Sequence, residues 1–154
     1  MQPLDSLNQV AEFHRTFHAP ILDTPQIPTE ARCQLRVSLL AEELDELRDA
    51  IADKDIVAVA DALCDLQYVL SGAVLEFGLG DKFKALFDEV QRSNMSKACL
   101  TVTDAEATVA QYQAKGVPCH YVESDGKYLV YRDADYKTLK SINYSPADLA
   151  GLVA

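Results

Sequence analysis

The sequence predicts a mainly α protein: an antiparallel helical bundle with a small C-terminal α+β appendage made of a β-hairpin or three short strands. Three observations lead there. Apolar residues recur at helical spacing up to about residue 98. Two long periodic segments are separated only by Asp53-Lys54-Asp55, a connection so short that the helices must run antiparallel. Beyond 98, short β-type runs between turn residues replace the helical period. Residues 1–98 are therefore assigned to a helical domain and 99–154 to the appendage.

Leu4 to Phe17 reads as a first helix, with Leu7, Val10, Ala11, Phe13 and Phe17 on its apolar side. Pro20, Pro25 and Pro28 then impose an extended connection. Thr29 is placed to cap a long helix running to about Ala52, with an inward stripe of Leu40, Leu44, Leu47 and Ile51. Ile56 to Phe77 forms the next helix, with Val59, Leu63, Leu66 and Leu70 inward and Gly78 and Gly80 closing it. A fourth helix spans Asp81 to about Gln91. In the appendage, Thr103 or Asp104 caps a helix through Gln113. Cys119–Val122 and Lys127–Arg132 flank the hairpin signal Ser124-Asp125-Gly126. A third strand is expected at Lys137 to Asn143, and Ser145-Pro146 is expected to open a last short helix.

Acidic residues outnumber basic ones 24 to 14 and the formal charge is −10, a surface that duplex DNA and anionic membranes repel. No apolar run approaches the roughly 20 residues of a bilayer span. The N-terminus lacks the basic-then-apolar pattern of a secretory signal, so a soluble cytoplasmic protein is expected. Cys33, Cys64, Cys99 and Cys119 form no CxxC pair and read as buried or partly buried thiols.

The chemistry concentrates in two acidic sets. Glu42, Glu43 and Glu46 crowd one side of the first long helix, and Asp61 and Asp65, four apart, share a face of the next. Glu43 and Glu46 lie 11 and 8 residues before Lys54, whereas Asp61 and Asp65 lie 7 and 11 after it. Equal distances from an antiparallel turn mean equal heights, so these carboxylates can face one another across a groove. Like charges at that spacing repel, and Asp61 and Asp65 interrupt an otherwise apolar segment where an unpaired carboxylate is expensive. A hard divalent cation such as Mg²⁺, with Mn²⁺ as a substitute, supplies the missing counter-charge and takes phosphate oxygens as further ligands. Solvated acidic helix faces are the bland alternative, and the matching heights argue against it.

With Glu43-Leu-Asp-Glu46, an antiparallel turn, and an acidic pair ending in Asp65-Leu-Gln-Tyr, the chain resembles the MazG-like all-α nucleoside triphosphate pyrophosphohydrolases, a superfamily that includes phosphoribosyl-ATP pyrophosphohydrolases and dimeric dUTPases. The resemblance covers about residues 5–98. The family pattern is ExxE, a spacer, then ExxD. The second half departs from it: Ala62 stands where the Glu before Asp65 is expected, and the acid lies one residue earlier, at Asp61. The resemblance implies that Glu43, Glu46, Asp61 and Asp65 hold Mg²⁺ against a nucleoside triphosphate. Water then attacks between the α- and β-phosphates, giving a monophosphate and pyrophosphate. Glu42 or Glu43 would orient or deprotonate that water; the residues leave this choice open.

Arg92, Asn94 and Lys97, at the end of the fourth helix, are candidates for phosphate and sugar contacts, or else ordinary C-terminal capping residues. His14 and His18 form HxxxH without a third ligand, so His14 reads as a surface or nucleobase-facing side chain rather than a zinc ligand. The competing reading is a non-catalytic, metal-binding helical assembly module whose β appendage binds a partner. A homodimer is expected under either. Val57, Val69, Leu70, Ala73, Val74 and Leu75 spread around the second long helix beyond the stripe of a surface helix.

Overall fold

A computed structural model describes residues 2–154 as six α-helices and one two-stranded sheet. Two compact units divide the chain: one takes in the chain up to Phe83 together with Val153–Ala154, the other is Lys84–Leu152. The fourth helix thus clusters with the C-terminal half, although the composition changes only near residue 98.

In the first unit, α1 (Ser6–Thr16) and α2 (Glu30–Asp53) both pack on α3 (Ile56–Glu76). The α2–α3 turn works as its sequence suggests. Lys54 takes the left-handed conformation at φ 57° that ends a helix, and the Asp55 side chain accepts from the N–H groups of Val57 and Ala58, capping α3. Thr29 stands at the N-cap of α2, but its side chain makes no capping bond. The proline-rich connection lies against the end of α3, where Leu22 N donates to Leu75 O and Gln26 N to Phe77 O, both at 3.1 Å. Gly78 permits this approach. Its φ is +68°, and a Cβ there would sit 1.9 Å from the Thr24 carbonyl oxygen.

The core of this unit is small: Val10, Ala11 and Leu75 with Ile21 against them. The inward stripes expected for α2 and α3 are only partly covered. Leu40, Leu47, Val59 and Leu66 are half-buried, whereas Leu44, Ile51, Leu63 and Leu70 are 51, 60, 51 and 42 % exposed; burial is densest toward the end of α3, at Ser71, Gly72 and Val74–Glu76. The expectation that no segment is long enough for a bilayer also needs correction. By length and composition α3 is long and apolar enough to cross one, although Asp61 and Asp65 lie within it.

A 3-10 turn (Gly80–Lys82) leads into α4 (Phe83–Met95), and the second unit continues with α5 (Val102–Gln113), β1 (Cys119–Ser124) and β2 (Lys127–Arg132). Thr101 caps α5, accepting from Asp104 N at 3.1 Å, so the helix starts earlier than a cap at Thr103 or Asp104 would allow. The strands pair antiparallel from Cys119–Arg132 to Ser124–Lys127, and Asp125 and Gly126 turn between them with φ of 50° and 72°. Two positive φ values are what a type I′ hairpin demands. Cys99, Ala105, Cys119, Val130 and Leu139 form the core between α5 and the hairpin.

Two expectations fail here, for one reason. No third strand forms over Lys137–Asn143, whose ladder with β2 stops after the Tyr131–Thr138 bridge. Tyr128, the next backbone on that edge of β2, exchanges both of its bonds with Cys99 at 2.9 Å, and Ser141 N donates to the Lys97 carbonyl. On the other side of the segment Lys140 N and Ile142 N donate to Tyr112 Oη and Thr108 Oγ1, both on α5. Nor does Ser145-Pro146 open a helix; only Ala150–Val153 is helical (α6). Arg92 donates to Ser145 Oγ and to the Pro146 carbonyl, and Ser145 N donates to Ser96 Oγ. The backbone of Lys97 and Cys99, with the side chains of Arg92 and Ser96, thus claims the groups that a strand or helix would need. Of the four cysteines, Cys99 and Cys119 are buried and Cys33 partly so, but Cys64 is exposed.

Candidate active site

The turn-side half of the α2–α3 hairpin holds the five acids, 7 to 12 residues from Lys54. Glu43 is half-buried, whereas Glu42, Glu46, Asp61 and Asp65 are exposed, so the apolar residues around the two aspartates do not cover them. The proton affinity of Glu43 is raised above the ordinary Glu value, first by desolvation and then by the charges of Glu46, Asp65, Glu42 and Asp61. Two of those charges come from the helix of Glu43 and two from α3, so the hairpin juxtaposes both sets as the heights require.

No basic side chain among the described residues forms an ion pair with these acids, and the nearby Arg48 pairs with Asp45 instead. No three His, Cys, Asp or Glu side chains among the described residues converge closely enough to grip an ion. The donor set is all oxygen, from exposed and rotatable side chains, and that chemistry suits Mg²⁺ or Mn²⁺ rather than a thiolate- or imidazole-seeking metal.

The other end of the same hairpin holds residues that sequence reasoning passed over. Glu76, 1 % exposed, accepts hydrogen bonds from both Arg32 and Arg36. Burial pushes its carboxyl up, but the two guanidinium groups outweigh burial and hold it below the ordinary range. His14 is inside this cluster rather than at the surface. It is 2 % exposed, with Nδ1 2.8 Å from Pro20 O and Nε2 3.4 Å from Arg36 Nη2. Since Pro20 O can only accept, Nδ1 carries the proton. The signal that could have found this cluster is the same height rule, because Arg32 and Glu76 each lie 22 residues from Lys54.

Arg92, Asn94 and Lys97 belong to the second unit. Arg92 grips Glu89 through Nε and Nη2 at 2.7 and 2.8 Å and also holds Ser145 and Pro146. The Arg92 hydrogen bonds, helped by Asp148 N–H, bring the Glu89 carboxyl down to about 2. A phosphate would compete for donors that already pin the C-terminal segment. Lys97 Nζ donates to Asn94 Oδ1 at 2.8 Å.

A family model described as phosphoribosyl-ATP pyrophosphohydrolase matches residues 10–94, more than half of the chain and all of the α2–α3 hairpin. No curated protein matches it.

Proposed function

The chain belongs to the phosphoribosyl-ATP pyrophosphohydrolase family, in the MazG-like all-α superfamily, which makes it a pyrophosphate-bond hydrolase of nucleotide-like substrates; from that premise we propose that it is a Mg²⁺-dependent nucleoside triphosphate pyrophosphohydrolase cleaving between the α- and β-phosphates. One observation carries the reading: four carboxylates from two helices act on Glu43, and no basic side chain among the described residues pairs with any of them. Glu43, Glu46, Asp61 and Asp65 would hold the ion. When bound, Mg²⁺ neutralises triphosphate charge and makes a water more acidic.

The chain's own residues do the rest. Glu42, exposed at the edge of the cluster, and Glu43, half-buried within it, are the two groups available to orient the attacking water and accept its proton, over a reach of about 3 Å. Asp61 takes the part of the acid that the family pattern places at Ala62, its shorter side chain reaching the groove from one residue earlier. The roles expected of Arg92, Asn94, Lys97 and His14 do not enter this reading.

The working species is a homodimer. Leu44, Ile51, Val57 and Leu70 leave apolar side chains exposed on the hairpin, and a two-fold copy of the same helices would cover them.

The test is a panel of nucleoside triphosphates with and without Mg²⁺, products resolved by ³¹P NMR. A monophosphate and pyrophosphate, formed only with the metal, are expected. Release of orthophosphate, or no turnover of any member, would overturn the assignment. Metal binding without turnover would favour the non-catalytic assembly module.

A further inference from the structure

Between α1 and α3 runs a groove of about 430 Å³, with Leu4, Leu63 and Tyr68 as apolar walls and Gln67 as its built polar group. The amide of Gln67 is fixed by an unusual amount of bonding. Ser71, 1 % exposed, spends its single hydroxyl proton on the main-chain carbonyl of Gln67 at 2.8 Å. Only lone pairs remain on Ser71 Oγ, so the amide must turn its nitrogen there, at 3.0 Å, and its second N–H goes to Ser6 Oγ at 3.3 Å. Both donors are consumed. The atom left for a ligand is the carbonyl oxygen Oε1, an acceptor in a defined place.

Tyr68 supplies a flat wall. Its ring stands edge-on to Phe13, with centroids 5.6 Å apart, and Phe13 in turn packs on Phe17 at 4.4 Å. The ring is nonetheless 39 % exposed. Tyr68 is also three residues beyond Asp65, and so lies beside it on the surface of α3. The groove is therefore continuous along one helix with the carboxylate cluster.

We propose that this groove is the subsite for the heterocyclic base of the nucleotide, with Tyr68 as its stacking surface and Gln67 Oε1 as the acceptor for a ring or exocyclic N–H of the base. The inference rests on the proposed pyrophosphohydrolase reading and adds to it the group that makes the substrate a nucleotide rather than a bare polyphosphate. A planar body matches the apolar walls, an N–H donor matches Gln67 Oε1, which is held in place where the other lining amide, Gln9, is exposed, and the phosphates would extend along α3 toward Asp65. Gln67 is then a specificity-determining residue.

Two measurements test this and separate it from the reading it rests on. The first compares kcat/KM for nucleoside triphosphates with that for 2-deoxyribose 5-triphosphate, which lacks the base, in the wild type and in Gln67→Met. The wild type should prefer the base-bearing substrates. Gln67→Met should shrink that preference about fivefold through KM, the worth of one neutral hydrogen bond. The second follows the Gln67 side-chain amide by NMR while nucleosides without phosphates are added, so that hydrolysis plays no part; the amide resonances should shift. Turnover with no base preference, or with a preference that Gln67→Met leaves intact, would sink the subsite while leaving the pyrophosphohydrolase standing. Nucleosides that shift Gln67 in a protein hydrolysing no triphosphate would do the reverse. Gln67 resonances that ignore nucleosides, in a groove protected from hydrogen exchange by a second copy of the chain, would also overturn it.

Discussion

The two ends of the α2–α3 hairpin treat carboxylates in opposite ways. In the turn-side half five acids act on one another, mostly exposed, with no basic partner among the described residues. At the far end one acid is buried under two arginines, with His14 packed against them. The same pair of helices, read by the same height rule, thus carries one polar cluster that is satisfied and one that is not. A satisfied buried cluster fixes how helices pack; an unsatisfied exposed one stores repulsion that a ligand can relieve. The difference separates residues that hold the fold from residues that are proposed to bind the metal.

The sharpest way to break this comparison is at the satisfied end. Glu76→Ala would leave two guanidinium groups facing each other without a carboxylate, and Arg36 already has its Nε buried without a hydrogen-bond partner. Loss of one partner from such a buried pair costs about 3–5 kcal/mol. Urea denaturation should show a drop of that size; a change under 1 kcal/mol would mean that this end does not hold the hairpin together.

The mirror experiment is Glu46→Gln at the other end. Removing one of five repelling charges should leave the metal-free fold as stable or more stable. Mg²⁺-dependent hydrolysis should fall at least about 100-fold, equivalent to about 2.7 kcal/mol of transition-state stabilisation. Wild-type turnover by this variant would remove Glu46 from the site. Asp61→Ala should weaken Mg²⁺ binding, measured calorimetrically, as strongly as Asp65→Ala; an Asp61→Ala protein with normal metal affinity would show a site of three carboxylates.

A smaller effect tests how tightly the satisfied end is packed. Gly72 lies inside α3, where alanine normally gains about 1 kcal/mol. Here a Cβ would stand 2.6 Å from Arg36 Nη1 and 3.0 Å from His14 Nε2. Gly72→Ala should therefore lower stability, by about 1–2 kcal/mol after the propensity gain. A stabilised variant would show that the Arg36 side chain can move aside without loss.

Much of this was legible in the residues, and the failures have a common cause. Periodicity and the Asp53–Asp55 turn were enough to find the hairpin and to align Glu43 with Asp65. Asp125-Gly126 was enough to find the β-turn, because its demand on φ is local. What periodicity could not supply was the partner of each face. Leu44 and Leu63 look like core residues and are exposed in a single chain, while Glu76 and His14 look like surface residues and are buried. Lys137–Asn143 and Ser145-Pro146 carry fair strand and helix signals, but Cys99, Lys97, Arg92 and Ser96 take up the backbone groups those elements would use, through contacts 29 to 54 residues distant in sequence. Gln67 was passed over because glutamine in a helix is unremarkable until Ser6 and Ser71 close around it.

The smallest expected effect is also the one that sets both ends against each other in one measurement, the stability of the metal-free protein against pH. Glu43 has a folded-state proton affinity above the ordinary value of 4.5. The folded chain therefore binds more protons than the unfolded chain just above that value, and stability must fall as pH rises through this window. Glu76 has the opposite shift, so its contribution is present above 4.5 and lost as pH falls below it. The two ends together predict a melting temperature in EDTA that peaks near the ordinary Glu value and declines on both sides. The variants assign the limbs: Glu43→Gln should flatten the decline on the alkaline side only, and Glu76→Gln the decline on the acid side only. Saturating Mg²⁺ should abolish the alkaline decline in the wild type, since a cation that binds the ionised carboxylates stabilises the folded state more as they deprotonate. An alkaline limb that ignores both Glu43→Gln and Mg²⁺ would mean that the five carboxylates do not act on one another, and the contrast between the two ends would be lost.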